Sequence, residues 1–130
     1  MSTLGGRATT GSMVAFTGGV PNISEYRHFR IVSVKKSDDP QALSEMLERR
    51  LTHLEWPAPD LVVIDGGAPQ LSAIQKHFRV TSQLPTGIPF IGLAKQMESI
   101  VVPIGNQKFN HLVLEKSHPG LHLLMHIRDE

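Results

Sequence analysis

Hydrophobic positions first cluster in Ser12-Met-Val-Ala-Phe16, a short apolar run closed by Gly18-Gly19. Tyr26 to Val34 follows with aromatic and β-branched residues in loose alternation, a pattern that predicts two strands joined by a turn. From Pro40 the period changes. Leu43, Met46, Leu47, Leu51 and Leu54 recur at three- and four-residue steps, with Glu45, Glu48 and Arg49 on the other face, so an amphipathic helix is expected. Asp39 before Pro40 offers a capping oxygen and a first-turn proline whose missing N–H costs nothing, and Trp56-Pro57 marks the predicted end. Leu61-Val-Val-Ile64 is continuously apolar between Pro59-Asp60 and Gly66-Gly67, as in a central, parallel strand buried on both faces.

Pro69, Leu71, Ile74 and Phe78 mark a second helix, the stretch from Ser82 to Pro89 is turn-rich, and Phe90-Ile-Gly-Leu93 is another short apolar run. Ser99 to Val102 and Asn110 to Leu114 flank Gly105-Asn106 as the arms of a hairpin. Pro119 opens a last helix carrying Leu121, Leu124 and Ile127, with no glycine or proline stop signal before Glu130, so the sequence reads as cut there. The β-α-β alternation predicts an α/β domain.

Composition narrows this picture. At 130 residues and 40% hydrophobic content the chain fits one domain, residues 1–130. Thirteen Lys+Arg against twelve Asp+Glu leave a net charge of +1, too weak to hold nucleic acid by bulk field, so any polyanion must meet a local patch. The absence of cysteine excludes a disulfide framework, a thiolate zinc site and a cysteine nucleophile. No apolar run reaches the ~18 residues of a membrane span, and the first residues lack the pattern of a signal peptide. A soluble, cytoplasmic domain with no membrane partner is expected.

Asp65 is the strongest single candidate for chemistry, a carboxylate at the C-terminal end of the most apolar strand, the edge where α/β sheets hold ligands. The competing reading is an aspartate that only caps the turn by accepting backbone N–H groups. Gly66-Gly67 lets a backbone or ligand approach closely, but is no dinucleotide fingerprint. Asp38-Asp39 is a second acidic feature. Its bland reading is helix capping; if it meets Asp65 in space, the pair forms the oxygen-rich cluster that Mg²⁺ or Mn²⁺ prefers. His118, His122 and His126 recur every four residues, a spacing that places imidazoles on one helical face as for zinc, or as a plain solvated stripe. Arg27, Arg30, Lys35 and Lys36, interleaved with Tyr26 and Phe29, suit phosphate contacts with aromatic support, or an ordinary strand with solvated charges.

Several motifs taken in order resemble one family. Gly11 to Phe16, Tyr26-Arg-His-Phe-Arg-Ile31, Asp38-Asp39, Glu48-Arg-Arg50, Pro59 to Gly67 with its Ile-Asp-Gly-Gly, Gln70-Leu71, Gly92-Leu-Ala-Lys95, Glu98, and Leu121 to Glu130 follow the order and spacing of the C-terminal nuclease domain of UvrC, the incising component of the excinuclease ABC of bacterial nucleotide excision repair. The resemblance implies a ribonuclease-H-like mixed sheet with flanking helices, with the first strand and the end of the last helix falling outside this chain. It further implies a metal-dependent phosphodiesterase using Mg²⁺ or Mn²⁺ to make the 5′ incision in damaged double-stranded DNA, beside a UvrB-type repair protein.

Carried over by residue, the resemblance makes Asp65 and Asp39 catalytic and assigns Asp65, Asp39 and Asp38 to the metal. Arg27, Lys95, Glu98, Gln70 and Arg128 become DNA-binding or active-site support. Ser2 matches the serine of the family's Asp-X-Ser element, which places that aspartate immediately before Met1. The catalytic histidine that follows Arg-Asp-Glu and one small residue falls beyond Glu130, and His122 and His126 match a neighbouring part of that motif. Ala68-Pro69 stands where the family usually has a second glycine, a departure that stiffens the entry to the helix. Two other classes stay open: a non-catalytic, degenerate DNA- or protein-binding module of the same fold, and an unrelated small metal hydrolase built on the histidine stripe.

Overall fold

The computed structural model describes residues 2–4, 8–31, 40–94 and 99–129, with side chains within 13–27, 41–94 and 99–129. Asp38, Asp39, Lys95 and Glu98 therefore lie outside the described residues.

Among the described residues, two β-sheets, a small hairpin and three helices carry the architecture. β1 (Ser2–Leu4), β2 (Ala8–Met13) and β5 (Arg27–Ile31) form an antiparallel sheet in the order β1-β2-β5. Ser2 pairs with Thr10, and Thr9 to Met13 pair with Ile31 to Arg27. The hydrophobic pattern gave no sign of a strand at Ser2–Leu4, which is polar and short. Gly18-Gly19 does not link two long strands as expected. It closes its own hairpin between β3 (Phe16–Thr17) and β4 (Val20–Pro21), with φ of +60° and +85° at the two glycines. Positive φ at both central residues matches the right-handed twist of flanking strands, and glycine adopts it without steric cost.

α1 (Pro40–Thr52) buries Ala42, Met46 and Leu47. It stops four residues before the expected Trp56. The Thr52 hydroxyl donates to the Arg49 carbonyl at 2.8 Å, and the His53 and Trp56 amides turn back onto Arg50 and His53. These local bonds satisfy carbonyls that a continuing helix would have used. α2 (Ala68–Phe78) packs on α1, and Leu71 and Ile74 on its inner face are fully buried.

α2 is also the crossover between β6 (Val62–Ile64) and β7 (Phe90–Leu93), which run parallel. β8 (Ile100–Gly105) and β9 (Lys108–Leu112) then complete a mixed four-stranded sheet, order β6-β7-β8-β9, before α3 (Pro119–Asp129). β6 was expected at a sheet centre. In the described residues it stands at an end, with Val62 and Val63 half-buried and only Ile64 buried. Among the described residues no strand pairs with its other edge, and Val62 and Val63 line a groove. Ile64, Leu71, Ile74, Phe90 and Val101 form the main core with Leu47 from α1. This mixed α/β architecture agrees with the expected ribonuclease-H-like fold.

One buried polar side chain ties the sheet to the helices. Gln75, 2% exposed, donates to the carbonyls of Thr81 and Gly105 at 2.7 and 3.1 Å and accepts from the Gln107 amide at 3.0 Å. The β8–β9 turn, where Gln107 has a φ of +60°, is thereby pinned to α2. Gln75→Leu fills the space but strands three backbone groups, so it is expected to cost about 1–3 kcal/mol. A thermal melt several degrees lower, with faster amide exchange at Gln107, checks this.

Candidate functional site

Asp65 follows the last residue of β6 at a tight reversal. The Gly66 amide donates to the Ile64 carbonyl at 2.9 Å, which closes a three-residue turn centred on Asp65. Asp65 is absent from the non-glycine residues of positive φ, so the turn is of the inverse γ kind common at strand ends. The side chain is exposed. Among the described residues its carboxylate has no hydrogen bond and no ion pair. The capping reading requires such bonds, so the described structure leaves this carboxylate free for a ligand.

The next residues begin α2. Gly67 is its N-cap, Pro69 occupies the first turn, and the Gln70 side chain folds back so that its Oε1 accepts from the Gly67 amide at 2.9 Å. The Ala68-Pro69 departure therefore costs little, because a first-turn proline lacks only an N–H that has no intrahelical partner. Asp65 stands just outside this N-terminus, where the helix dipole favours negative charge.

Asp65, Gln70 and Arg128 line one groove of about 1360 Å³, together with Leu47 of α1, Val63 of β6 and Ile127 of α3. Arg128 is half-buried and lies 3.8 Å from Asp129. A carboxylate and a guanidinium thus share an apolar-walled groove along β6. A carboxylate oxygen is the donor that Mg²⁺ and Mn²⁺ prefer, so Asp65 fits such an ion as one ligand. Among the described residues no group of three His, Cys, Asp or Glu side chains comes together, so no complete metal cage is formed by them.

The histidine stripe is not a site in the described structure. His118 precedes α3 and its Nδ1 accepts from the Gly120 amide at 2.9 Å, His122 reaches the Lys116 carbonyl, and His126 packs edge-on against Phe16 with ring centroids 5.0 Å apart. His118 sits before the helix and not on it, and each of the three imidazoles has a different neighbour. Elsewhere, the His77 ring bonds Glu48 at 3.2 Å between α2 and α1.

Arg27 is held by its own surroundings. Its guanidinium donates to the carbonyls of Ser24 and Tyr26 at 3.0 Å, pairs with Glu25 at 2.9 Å, and lies 4.2 Å from the centroid of Trp56. Of the basic stretch, Arg30 has only its backbone described, and Lys35 and Lys36 lie outside the described residues. Trp56 is the hub of a cluster that the hydrophobic pattern did not flag. The His53 ring stacks on it at 3.9 Å and 11°, and Arg50 lies 5.2 Å away, its Nη2 bonding the Pro57 carbonyl at 2.6 Å. The available signal was a lone tryptophan just past a helix end that carries arginines.

Burial, then repulsion from Arg27, lowers the Arg50 pKa, while Glu25 and Glu55 oppose that shift. A hydrogen bond from His53 holds the Glu55 carboxyl below the usual carboxylate range. A group depressed in the folded state contributes stability above its unfolded pKa and loses that contribution as pH falls through the folded value. Acidification below about pH 4.3, the ordinary glutamate value, is therefore expected to loosen the His53–Trp56 stack. The fluorescence of Trp56, the lone tryptophan, reports this, and Glu55→Gln should flatten the acid transition.

Across residues 1–130 the chain matches the UvrC RNAse H endonuclease domain family. It is 44% identical to the UvrABC system protein C of Prosthecochloris aestuarii over 124 residues, covering 93% of this chain and 19% of that protein. Identity is 39% to the protein of the same name from Methanococcoides burtonii, covering the whole chain and 21% of the relative. For Treponema pallidum it is 37%, covering the whole chain and 18% of the relative. The chain spans about a fifth of the length of these relatives. Among the described residues no helix is long and apolar enough to cross a membrane.

Proposed function

Because the chain belongs to the UvrC RNAse H endonuclease domain family, we propose that it is the phosphodiester-cutting part of a UvrABC-type nucleotide excision repair protein, which makes the 5′ incision in damaged double-stranded DNA. The observation that carries this reading is the Asp65 carboxylate, which has no partner among the described residues, stands at the C-terminal end of β6 and lines a groove that Arg128 also lines.

In this reading Asp65, with Asp39 and Asp38, holds a divalent cation, Mg²⁺ or Mn²⁺. When bound, such an ion supplies Lewis acidity at the scissile phosphate. Arg128 presents a planar guanidinium whose fork matches phosphate oxygens, so it orients the backbone of the DNA in the groove. Gln70 acts on the protein side of the site, by fixing the turn from which Asp65 projects. The resemblance adds Lys95 and Glu98 to the same site as supporting residues. Arg27, whose donors are engaged within its own turn, supports the fold around Trp56. The damaged duplex and the UvrB-type protein are partners of the longer protein.

Chelation tests the reading. Incision of damaged duplex by the longer protein, loaded with its UvrB-type partner, should stop in excess EDTA and return with Mg²⁺ or Mn²⁺. Incision that survives EDTA overturns the metal-dependent mechanism. A duplex that is bound but uncut at every metal concentration favours the non-catalytic module.

A further inference from the structure

The middle of β7 contains a glycine where the surrounding Phe90, Ile91 and Leu93 call for a side chain. Glycine inside a strand weakens it, so its presence points to a close backbone approach. Gly92 lies opposite Ile64 in the parallel ladder, directly beneath the turn that carries Asp65. A Cβ built on Gly92 would lie 2.5 Å from the Gly66 carbonyl oxygen, and 3.2 Å from Cδ1 of Leu71, which is fully buried. Neither neighbour yields cheaply, since one is backbone and the other is locked in the core.

The Gly66 carbonyl and the Gly67 amide belong to one peptide plane. Its oxygen occupies the space that a Cβ on Gly92 would need, and its N–H donates to Gln70 Oε1 at 2.9 Å. Gly66 itself takes part, because a Cβ there would sit 2.6 Å from Gln70 Cγ. The preceding peptide carries the Gly66 amide that closes the Asp65 turn on Ile64. Both peptide planes that follow Asp65 are thus held, one by the γ-turn bond and the other from two opposite sides.

We infer that Gly92 and Gln70 clamp the Gly66–Gly67 peptide and so act as positioning residues that set where the Asp65 carboxylate stands. This inference rests on the reading of Asp65 as an incision residue. An alanine at Gly92 pushes the Gly66 carbonyl away, rotates the adjoining peptide and swings the carboxylate, while the strand pairing of β7 stays available. Loss of the Gln70 acceptor frees the other side of the same plane.

Three variants of the 130-residue chain test the clamp: Gly92→Ala, Gln70→Ala and Gln70→Glu. Amide exchange and carbon chemical shifts at residues 65–67 are read by NMR alongside a thermal melt. Gly92→Ala should keep a cooperative melt but speed exchange at Gly66 and Gly67 by at least tenfold and shift the Asp65 carboxyl signal, with the β8–β9 hairpin unmoved. Gln70→Ala should speed Gly67 exchange, and Gln70→Glu, which keeps an acceptor oxygen, should restore it. If Gly92→Ala fails to fold, the Gln70 pair decides alone.

In the longer protein, Gly92→Ala and Gln70→Ala should lower kcat for incision at least tenfold with KM for DNA within twofold. Unchanged signals at residues 65–67, or a loss confined to KM, overturns the inference. Normal incision by these variants when Asp65→Asn is inactive also overturns it. Normal incision by Asp65→Asn itself overturns the reading of the site, even where the exchange data uphold the clamp.

Discussion

On the proposed function, Asp65→Asn in a UvrABC-type protein that carries this domain is expected to abolish incision, by roughly 10³-fold or more, while its melting temperature holds or rises. Asparagine keeps the shape of the side chain and removes the charge that would bind a divalent cation. Among the described residues the carboxylate is exposed and has no hydrogen bond or ion pair, so when the charge goes the fold loses only the weak, solvent-screened attraction of the α2 N-terminus. Any repulsion from neighbouring carboxylates would be relieved, which raises stability. Rates on damaged duplex and a melt of the same preparation check both halves. A variant that melts far below wild type would show that Asp65 is a structural turn residue.

The largest effect on stability is expected at Phe90→Ala. Phe90 is 1% exposed in the core that α1, α2 and the β6–β8 strands share. Removing a buried phenyl ring loses its transfer free energy and leaves a cavity that a packed interior closes only in part, about 3–5 kcal/mol. A domain has only about 5–15 kcal/mol in total, so a drop in melting temperature of roughly 10–20 °C follows for a chain of this size. Denaturant titration should show a lower midpoint with an unchanged slope, the mark of lost stability without a change in the unfolded state. A loss under about 1 kcal/mol, the average cost of a point substitution, would mean that Phe90 does not anchor this core.

Local pattern and turn chemistry alone determined the three helices, the Phe90–Leu93 strand, the β8–β9 hairpin and the place of Asp65 at the end of an apolar strand. Those features depend on periods of two and 3.6 residues and on Gly and Pro within a few positions, so the chain carries them without reference to distant parts. Tertiary structure decided what depends on partners far along the chain. α1 ends at Thr52, where the chain turns to stack His53 on Trp56, although the leucine period runs on to Leu54. β6 has the composition of a central strand but stands at a sheet end among the described residues, because pairing is set by which strands reach it. Arg27 looked like a phosphate contact and is engaged by Glu25 and Trp56, since a long charged side chain takes the nearest acceptors that the fold brings to it. Gly92 was visible as a glycine out of place in an apolar run. Its meaning came only from the Gly66 carbonyl that β6 lays across it, a contact between segments 26 residues apart that no local pattern encodes.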